Sequence, residues 1–266
     1  MQRRSFTAPA AAALLAACSA AAASGQTGLE IMKEQSRRHQ VKSEETRSKL
    51  SVLDPSGRAK DREMIVVARR GDDGLSRMML KFLSPADIRN TGLLTWEQAG
   101  DKDDDQWLYL PATRAVKRIA SSSKKNAFMG TDLAFEDLRP ENLDAHTYTV
   151  LREEDLDGKR CWVIEAVPST DKEKVESGYG KRVFWVRKDL HVTVQTEFYN
   201  RSNKLIKRAT FTDLKNLADD LWRAQTARVE TLDSKTATVS TTVEQKVNVE
   251  VDENLLTQQG LTRPAM

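Results

Sequence analysis

The chain of 266 residues is 39% hydrophobic and 30% charged, and its formal net charge is +3. A disordered chain is excluded, because this composition can bury a substantial core. The sequence has no run of lysine and arginine alternating with aromatic residues, so no nucleic-acid partner is expected.

Residues 1–17 have the pattern of an export signal, since Arg3 and Arg4 precede an apolar, alanine-rich run. Two ends of this signal remain open. The sequence LAAC, which ends at Cys18, matches a bacterial lipobox and would place a lipid on Cys18. The small residues 21–23 instead fit signal cleavage near residue 23. Because residues 1–17 hold two arginines and no acidic residue, the remaining chain has 40 basic and 39 acidic residues.

The signal predicts a periplasmic protein, and lipidation of Cys18 would anchor it to the outer membrane. Residues 18–27 are small and polar, and we expect them to form a tether. Residues 28–266 are predicted to form one domain, because β domains of about 200–250 residues are often undivided.

The domain is predicted to begin with an amphipathic helix from Gly28 to about His39, with a narrow apolar stripe. From Thr46 onward, apolar and polar residues alternate with the period of β-strands. Turn sequences at residues 54–57, 70–74 and 157–158 separate the alternating runs. This spacing predicts consecutive antiparallel strands.

A further hairpin is predicted around Pro111, with strands at residues 107–110 and 114–119. After a polar loop, Thr131 or Asp132 is expected to cap a short helix that packs on an apolar surface. We expect this helix and the first helix to act as mobile covers over an apolar surface. The predicted lid residues are Leu29, Met32, Leu133, Phe135 and Leu138.

Near the end of the chain, residues 237–251 have valine or alanine at most alternate positions, with polar residues between them. At about 3.3 Å per residue, such a strand would span nearly 50 Å if unbroken, which implies curvature. We count about eleven to thirteen strands with short links and no repeated βαβ spacing. The sequence therefore predicts a mainly β protein with a single curved antiparallel sheet.

The sequence carries no recognisable catalytic or metal-binding motif. His39, His146 and His191 lack ligand spacing, and neither a GxSxG elbow nor a phosphate-binding loop is present. We therefore predict no catalytic residues, no metal and no cofactor. Cys161, in a strand-like run, is predicted to be a small buried residue.

Large apolar side chains are distributed over the predicted strands. Core packing explains each of them singly, and a ligand cavity would use the subset that faces the concave side of the sheet. The candidate cavity residues are Leu80, Phe82, Trp96, Trp107, Trp162, Trp185, Phe198 and Trp222.

Five segments of the sequence resemble the LolA-like superfamily, in particular its outer-membrane lipoprotein-sorting-like proteins. They are GLEIMKE, FLSPADIRNTGLLTW, the pair WLYLPATRAVKRI and MGTDLAFEDL, and KRVFWVRKDLHVTVQTEFYNRSNKLIKRATFTDLK. The resemblance implies an incomplete β-barrel closed by short helices, which holds the acyl chains of lipids or lipoproteins in the periplasm without catalysis.

The chain departs from simple lipoprotein carriers in its length and in its lipobox, since a shuttling carrier should not itself be anchored. A tethered acceptor or an accessory of an inner-membrane exporter fits better. Two alternatives remain open: a docking module of an export system whose barrel is filled by its own side chains, and a lipid hydrolase whose serine, histidine and acid meet at the cavity mouth.

Overall fold

The computed structural model describes residues 26–100 and 102–265. The predicted export signal, Cys18 and most of the predicted tether lie outside the described residues. Within the described part of the chain, no helix is long and apolar enough to span a membrane.

The described residues form thirteen strands, three α-helices and four short 3₁₀ helices. The α-helices are α1 (Gly28–His39), α2 (Asp171–Glu176) and α3 (Gln258–Thr262). The 3₁₀ helices are Ser121–Ser123, Phe135–Leu138, Leu143–Ala145 and Glu253–Leu256. The strands are β1 (Ser43–Leu53), β2 (Ala59–Arg70), β3 (Ser76–Ser84), β4 (Gly92–Trp96), β5 (Asp105–Leu110), β6 (Ala115–Arg118), β7 (His146–Leu156), β8 (Lys159–Pro168), β9 (Lys181–Arg187), β10 (Val192–Tyr199), β11 (Leu205–Ala218), β12 (Leu221–Thr231) and β13 (Thr236–Val247).

All thirteen strands belong to one curved antiparallel sheet in the order β6-β5-β4-β3-β2-β1-β13-β12-β11-β10-β9-β8-β7. The predicted fold class is confirmed. Strands β6 and β7 are consecutive in the chain but form the two opposite edges of the sheet. Residues 119–145, which we call the crossover segment, therefore connect one edge to the other. They pack on the same face as α1, which we call the inner face.

Helix α1 begins with a capping box. The Glu30 backbone N–H donates to Thr27 Oγ1 at 3.2 Å, and the Thr27 N–H donates to the Glu30 carboxylate at 2.7 Å. Its apolar stripe packs on the inner face of β7, β8 and β9, where Ile31 and Met32 contact Tyr148 and neighbouring side chains. A Cβ at Gly28 would lie 2.8 Å from the Tyr148 backbone, so glycine permits this close approach.

His39 fixes the last turn of α1 to the sheet. Its Nδ1 accepts from the Trp222 backbone N–H at 3.3 Å, and its Nε2 lies 3.1 Å from the Leu190 carbonyl oxygen. The acceptor role of Nδ1 requires an unprotonated Nδ1, with the hydrogen on Nε2. Burial lowers the pKa of His39 below its ordinary value of 6.5.

We therefore expect His39 to lower the stability of the fold in acid. The unfolded chain binds a proton at His39 before the folded chain does, so this stability is complete above about pH 6.5 and is lost as the pH falls below it. Urea unfolding at about pH 7.5 and about pH 5.5 measures the difference. His39→Gln should show a smaller loss than the unsubstituted protein, and an equal loss in both proteins would contradict this role.

The opposite, outer face is covered in part by the C-terminal residues. Leu256 and Leu261 pack on Leu94 and Trp107 in one cluster. The Trp96 indole N–H donates to the Leu256 carbonyl oxygen at 2.8 Å. This cover was not predicted from the sequence, which predicted strand structure as far as Val251.

The buried side chain of Lys81 contacts the end of α3 on the outer face of the sheet. Its ammonium donates to the Gly260 carbonyl oxygen at 3.0 Å and to that of Arg263, and the side chain is almost fully buried. Burial lowers the pKa of Lys81 to about 8. A cation at the carboxyl end of a helix satisfies carbonyl groups that have no partner within the helix.

The alternating run over residues 237–251 does not form one unbroken strand. Strand β13 ends at Val247, and its pairing with β1 shifts where Arg47 pairs with Glu244 and Ser48 with Thr242. Val243 is therefore an extra residue, as in a β-bulge, and the valines on either side of it face opposite sides of the sheet. A β-bulge bends the strand that contains it, which agrees with the curvature predicted from the length of this run.

Candidate functional site: an apolar cavity with a charged mouth

A cavity of about 930 Å³ lies on the inner face of the sheet. Strands β1 and β9 to β13 supply its floor, and the crossover segment supplies one wall. The floor is mostly apolar and consists of Leu50, Phe184, Phe198, Ala209, Phe211, Ala227 and Val229, with Thr238 and Ser240. Small-molecule sites commonly enclose about 300–1,000 Å³, so this cavity has room for a guest of that class.

The mouth of the cavity is lined by charged residues of both signs. They are Glu97, Lys102, Asp103, Asp104, Glu136, Arg139, Glu141, Asp144, Lys172, Glu173 and Arg182, while Asp137 also lines the cavity but is buried. An apolar floor below a charged mouth suits a guest with a hydrocarbon part and a polar end.

The crossover segment is held against the sheet by buried polar contacts. The carboxylate of Asp132 accepts hydrogen bonds from three hydroxyl groups, those of Thr231, Thr236 and Thr238, at 2.6, 2.6 and 2.7 Å. The prediction that Thr131 or Asp132 caps the short helix is wrong, because Ala134 precedes Phe135–Leu138 and Asp132 bonds to the sheet.

A second buried contact joins the crossover segment to the middle of the sheet. Lys207 on β11 lies 2.8 Å from the Asp137 carboxylate, and its ammonium donates to the Tyr179 hydroxyl at 2.6 Å. The Tyr179 hydroxyl in turn donates to Asp137 at 2.9 Å. The side chains of Lys207 and Asp137 are only 9% and 10% exposed. Burial and the nearby Asp137 charge raise the pKa of Tyr179 well above its usual value.

A third buried cluster surrounds His146 at the mouth. Arg182 makes two hydrogen bonds to the Glu141 carboxylate, at 2.6 and 2.8 Å, and Tyr148 donates to the same carboxylate at 2.7 Å. His146 Nε2 lies 3.0 Å from Arg182 Nη2, and Nδ1 lies 3.2 Å from the Asn142 carbonyl oxygen. Burial and the Arg182 charge lower the pKa of His146. Both ring nitrogens are thus occupied by groups other than a nucleophile.

The five predicted lid residues lie on three surfaces. Leu133 lines the cavity. Phe135 and Leu138 pack with Leu80, Phe82 and Phe128 beneath the crossover segment. Leu29 and Met32 pack on the inner face beneath α1.

Of the eight candidate cavity residues, Phe198 lines the cavity. Leu80 and Phe82 lie beneath the crossover segment, Trp162 beneath α1, Trp96 and Trp107 beneath the C-terminal cover, and Trp185 in an outer-face cluster with the buried Cys161. Trp222 lies half-buried on β12 beside the end of α1. Five of the eight pack beneath covering elements and therefore do not line the cavity.

Comparison with known proteins agrees with this architecture. A family model for uncharacterized proteins, DUF1329, matches residues 74–263, which is more than half of the chain. The chain belongs to the DUF1329 family. No curated protein sequence matches it.

Several solved structures share the fold of this DUF1329 protein. A putative outer membrane lipoprotein-sorting protein domain from Vibrio parahaemolyticus has a TM-score of 0.83 and 29% identity, over 89% of this chain and 98% of that one. A DUF1329 family protein from Desulfovibrio piger has a TM-score of 0.82 and 28% identity, over 88% and 97%. A LolA superfamily protein from Nitrosomonas europaea, 17% identical over 89% and 100%, shares the fold with a TM-score of 0.69. The predicted resemblance is confirmed.

Proposed function

We propose that this DUF1329 protein binds lipid, or the acyl chains of lipoproteins, in the inner-face cavity without catalysing a reaction. The observation that carries the proposal is the coexistence of an apolar floor, a volume of about 930 Å³ and a charged mouth. The similarity to a putative outer membrane lipoprotein-sorting protein domain supports a lipoprotein as one source of the acyl chains.

The energetics of acyl transfer suit such a cavity. Burying about sixteen methylene groups at about 0.8 kcal/mol each removes on the order of 12 kcal/mol of apolar hydration. A bilayer provides nearly the same gain, so a guest can exchange between membrane and cavity with a small net change in free energy. A protein that receives or passes on acyl chains needs this balance.

The proposal extends to the location and partners of the protein. The export signal would deliver the chain to the periplasm, and lipidation of Cys18 would anchor it to the outer membrane. An anchored protein fits an acceptor of acyl chains or an accessory of an inner-membrane exporter better than a shuttle.

The two alternative functions have less support from the site. A docking module with a filled barrel is disfavoured by the open cavity. A lipid hydrolase needs a histidine that can take a proton from a nucleophile at the mouth. His146, which lines the mouth, instead faces Arg182 and the Asn142 carbonyl oxygen.

The proposal predicts that filling the cavity abolishes tight ligand binding. Ala227 lies on the floor and pairs with Phe211 across the strands, so Ala227→Phe would place a ring in the space of the guest. We expect the affinity for a neutral fluorescent probe, N-phenyl-1-naphthylamine, to fall about tenfold or more, since the lost burial exceeds about 1.4 kcal/mol.

The matched control is Ala218→Phe, at the exposed end of β11. This control should leave probe binding unchanged. Native mass spectrometry of the full chain purified from its own envelope should also show a lipid that Ala227→Phe lacks. Equal probe affinity in all three proteins, with no co-purifying lipid, would refute the proposal.

A further inference from the structure

Arg139 is a cation at the cavity mouth whose hydrogen-bonding capacity is largely unused. It lines the cavity, and its side chain is only 16% exposed. Its Nε is fully buried and has no hydrogen-bond partner in the described part of the chain. Its ion pair with Asp104 spans 3.8 Å between Nη1 and Oδ2, which is too long for a hydrogen bond. A buried donor of this kind normally has an acceptor, and a guanidinium can hold two at once.

The acidic residues around Arg139 are engaged by other groups. Glu136 accepts hydrogen bonds from the Ser177 hydroxyl and from the Gly178 N–H, at 2.8 and 2.9 Å. Asp137 is paired with Lys207, and Glu141 with Arg182. These carboxylates therefore do not saturate the Arg139 guanidinium.

Two further cations share a carboxylate near Arg139. Asp103 holds Lys172 at 2.9 Å and the buried Lys124 at 3.3 Å, so one carboxylate is shared by two ammonium groups. The Arg139 charge adds to the cost of keeping Lys124 charged, since both Arg139 and burial lower the pKa of Lys124. An added anion here would relieve this repulsion.

We infer that Arg139 binds the anionic head group, a phosphate or carboxylate, of the amphiphile whose acyl chains occupy the cavity floor. This inference rests on the proposed function and specifies its ligand class as anionic lipids. A guanidinium forms paired hydrogen bonds with both kinds of anion, while the apolar floor gains equally from any acyl chain of the same length. Head-group preference and chain binding are therefore separable.

Two soluble lipids that differ by a single phosphate test the inference on the full chain. We expect dioctanoyl phosphatidic acid to displace N-phenyl-1-naphthylamine about tenfold more effectively than dioctanoylglycerol, as a hydrogen-bonded charge pair would give. Arg139→Gln should remove this preference, so that the two lipids displace the probe equally well. Arg89→Gln, an exposed position outside the cavity lining, should retain the preference.

Further measurements decide between a head-group site and other roles of Arg139. Arg139→Lys keeps the charge and should retain part of the preference, which preserves the test if the glutamine variant does not fold. Equal displacement by both lipids in the unsubstituted protein would overturn the inference while leaving acyl binding intact. Displacement by neither lipid would instead refute the proposed function itself. Calorimetric binding of inorganic phosphate that needs Arg139, without any lipid preference, would indicate a free-anion site and also overturn the inference.

Discussion

Lys207→Met is expected to lower the free energy of unfolding by about 3–5 kcal/mol, because it leaves the Asp137 carboxylate buried without its counter-ion. The methionine fills most of the volume of the lysine stem, so lost packing contributes little. Urea or thermal unfolding measures the change. Lys204→Met is the matched control on the neighbouring surface, where the lysine pairs with an exposed Asp233 and should contribute less than about 1 kcal/mol.

The double variant Asp137→Asn with Lys207→Met separates the ion pair from its surroundings. Asparagine is neutral, and its carbonyl oxygen can still accept from the Ala134 backbone N–H, which donates to Asp137 at 2.7 Å. We expect the double variant to be more stable than Lys207→Met alone, because no unpaired charge remains in the protein interior. Additive losses would show that the two charges do not interact strongly.

The general architecture could be predicted because period-two alternation and turn sequences are local signals. The hairpin around Pro111 and the turn at Asp157 and Gly158 both occur as predicted, and both of the latter residues have positive φ. Antiparallel pairing followed from short links between strands, which cannot contain a crossover helix. The crossover segment connects the two opposite edges of the sheet. No local sequence pattern predicts this connection, because it depends on residues that are far apart in the chain.

The identity of the cavity residues could not be predicted for a geometric reason. Alternation divides each strand into two sets of side chains, but it does not say which set faces inward. In β13 the inner set is Thr238 and Ser240, and the more apolar set with Val239 lies on the other side. Both faces of this sheet carry covering elements, so hydrophobicity alone does not distinguish them.

The burial of charged residues on the inner face also could not be predicted from the sequence. Asp137 and Lys207 are 70 residues apart, and Glu141 and Arg182 are 41 apart. Each would be assigned to a solvated surface if considered alone, because charged residues are rarely buried unless they are paired. These pairs form because the crossover segment lies over β9 and β11.

Phe135→Ala is expected to cost about 3–5 kcal/mol of stability, since the phenyl ring is only 7% exposed and packs edge-on against Phe128 at 5.5 Å. The Phe135 backbone carbonyl also accepts from the buried Gln106 amide at 3.0 Å, so this part of the crossover segment is fixed to the sheet. Leu133→Ala, two residues earlier, changes a half-buried side chain that lines the cavity. We expect it to weaken probe binding with a smaller loss of stability.

Comparing the two variants tests whether the crossover segment is a fixed wall or a mobile lid. A fixed wall predicts that Phe135→Ala lowers stability while probe affinity in the folded protein is retained, because the ring does not line the cavity. A mobile lid that opens to admit the guest predicts a change in the rate of probe entry with little loss of stability. Stopped-flow probe binding alongside urea unfolding distinguishes the two. The hydrogen bonds that three threonine hydroxyls donate to Asp132 favour the wall, since they would all have to break for the segment to lift.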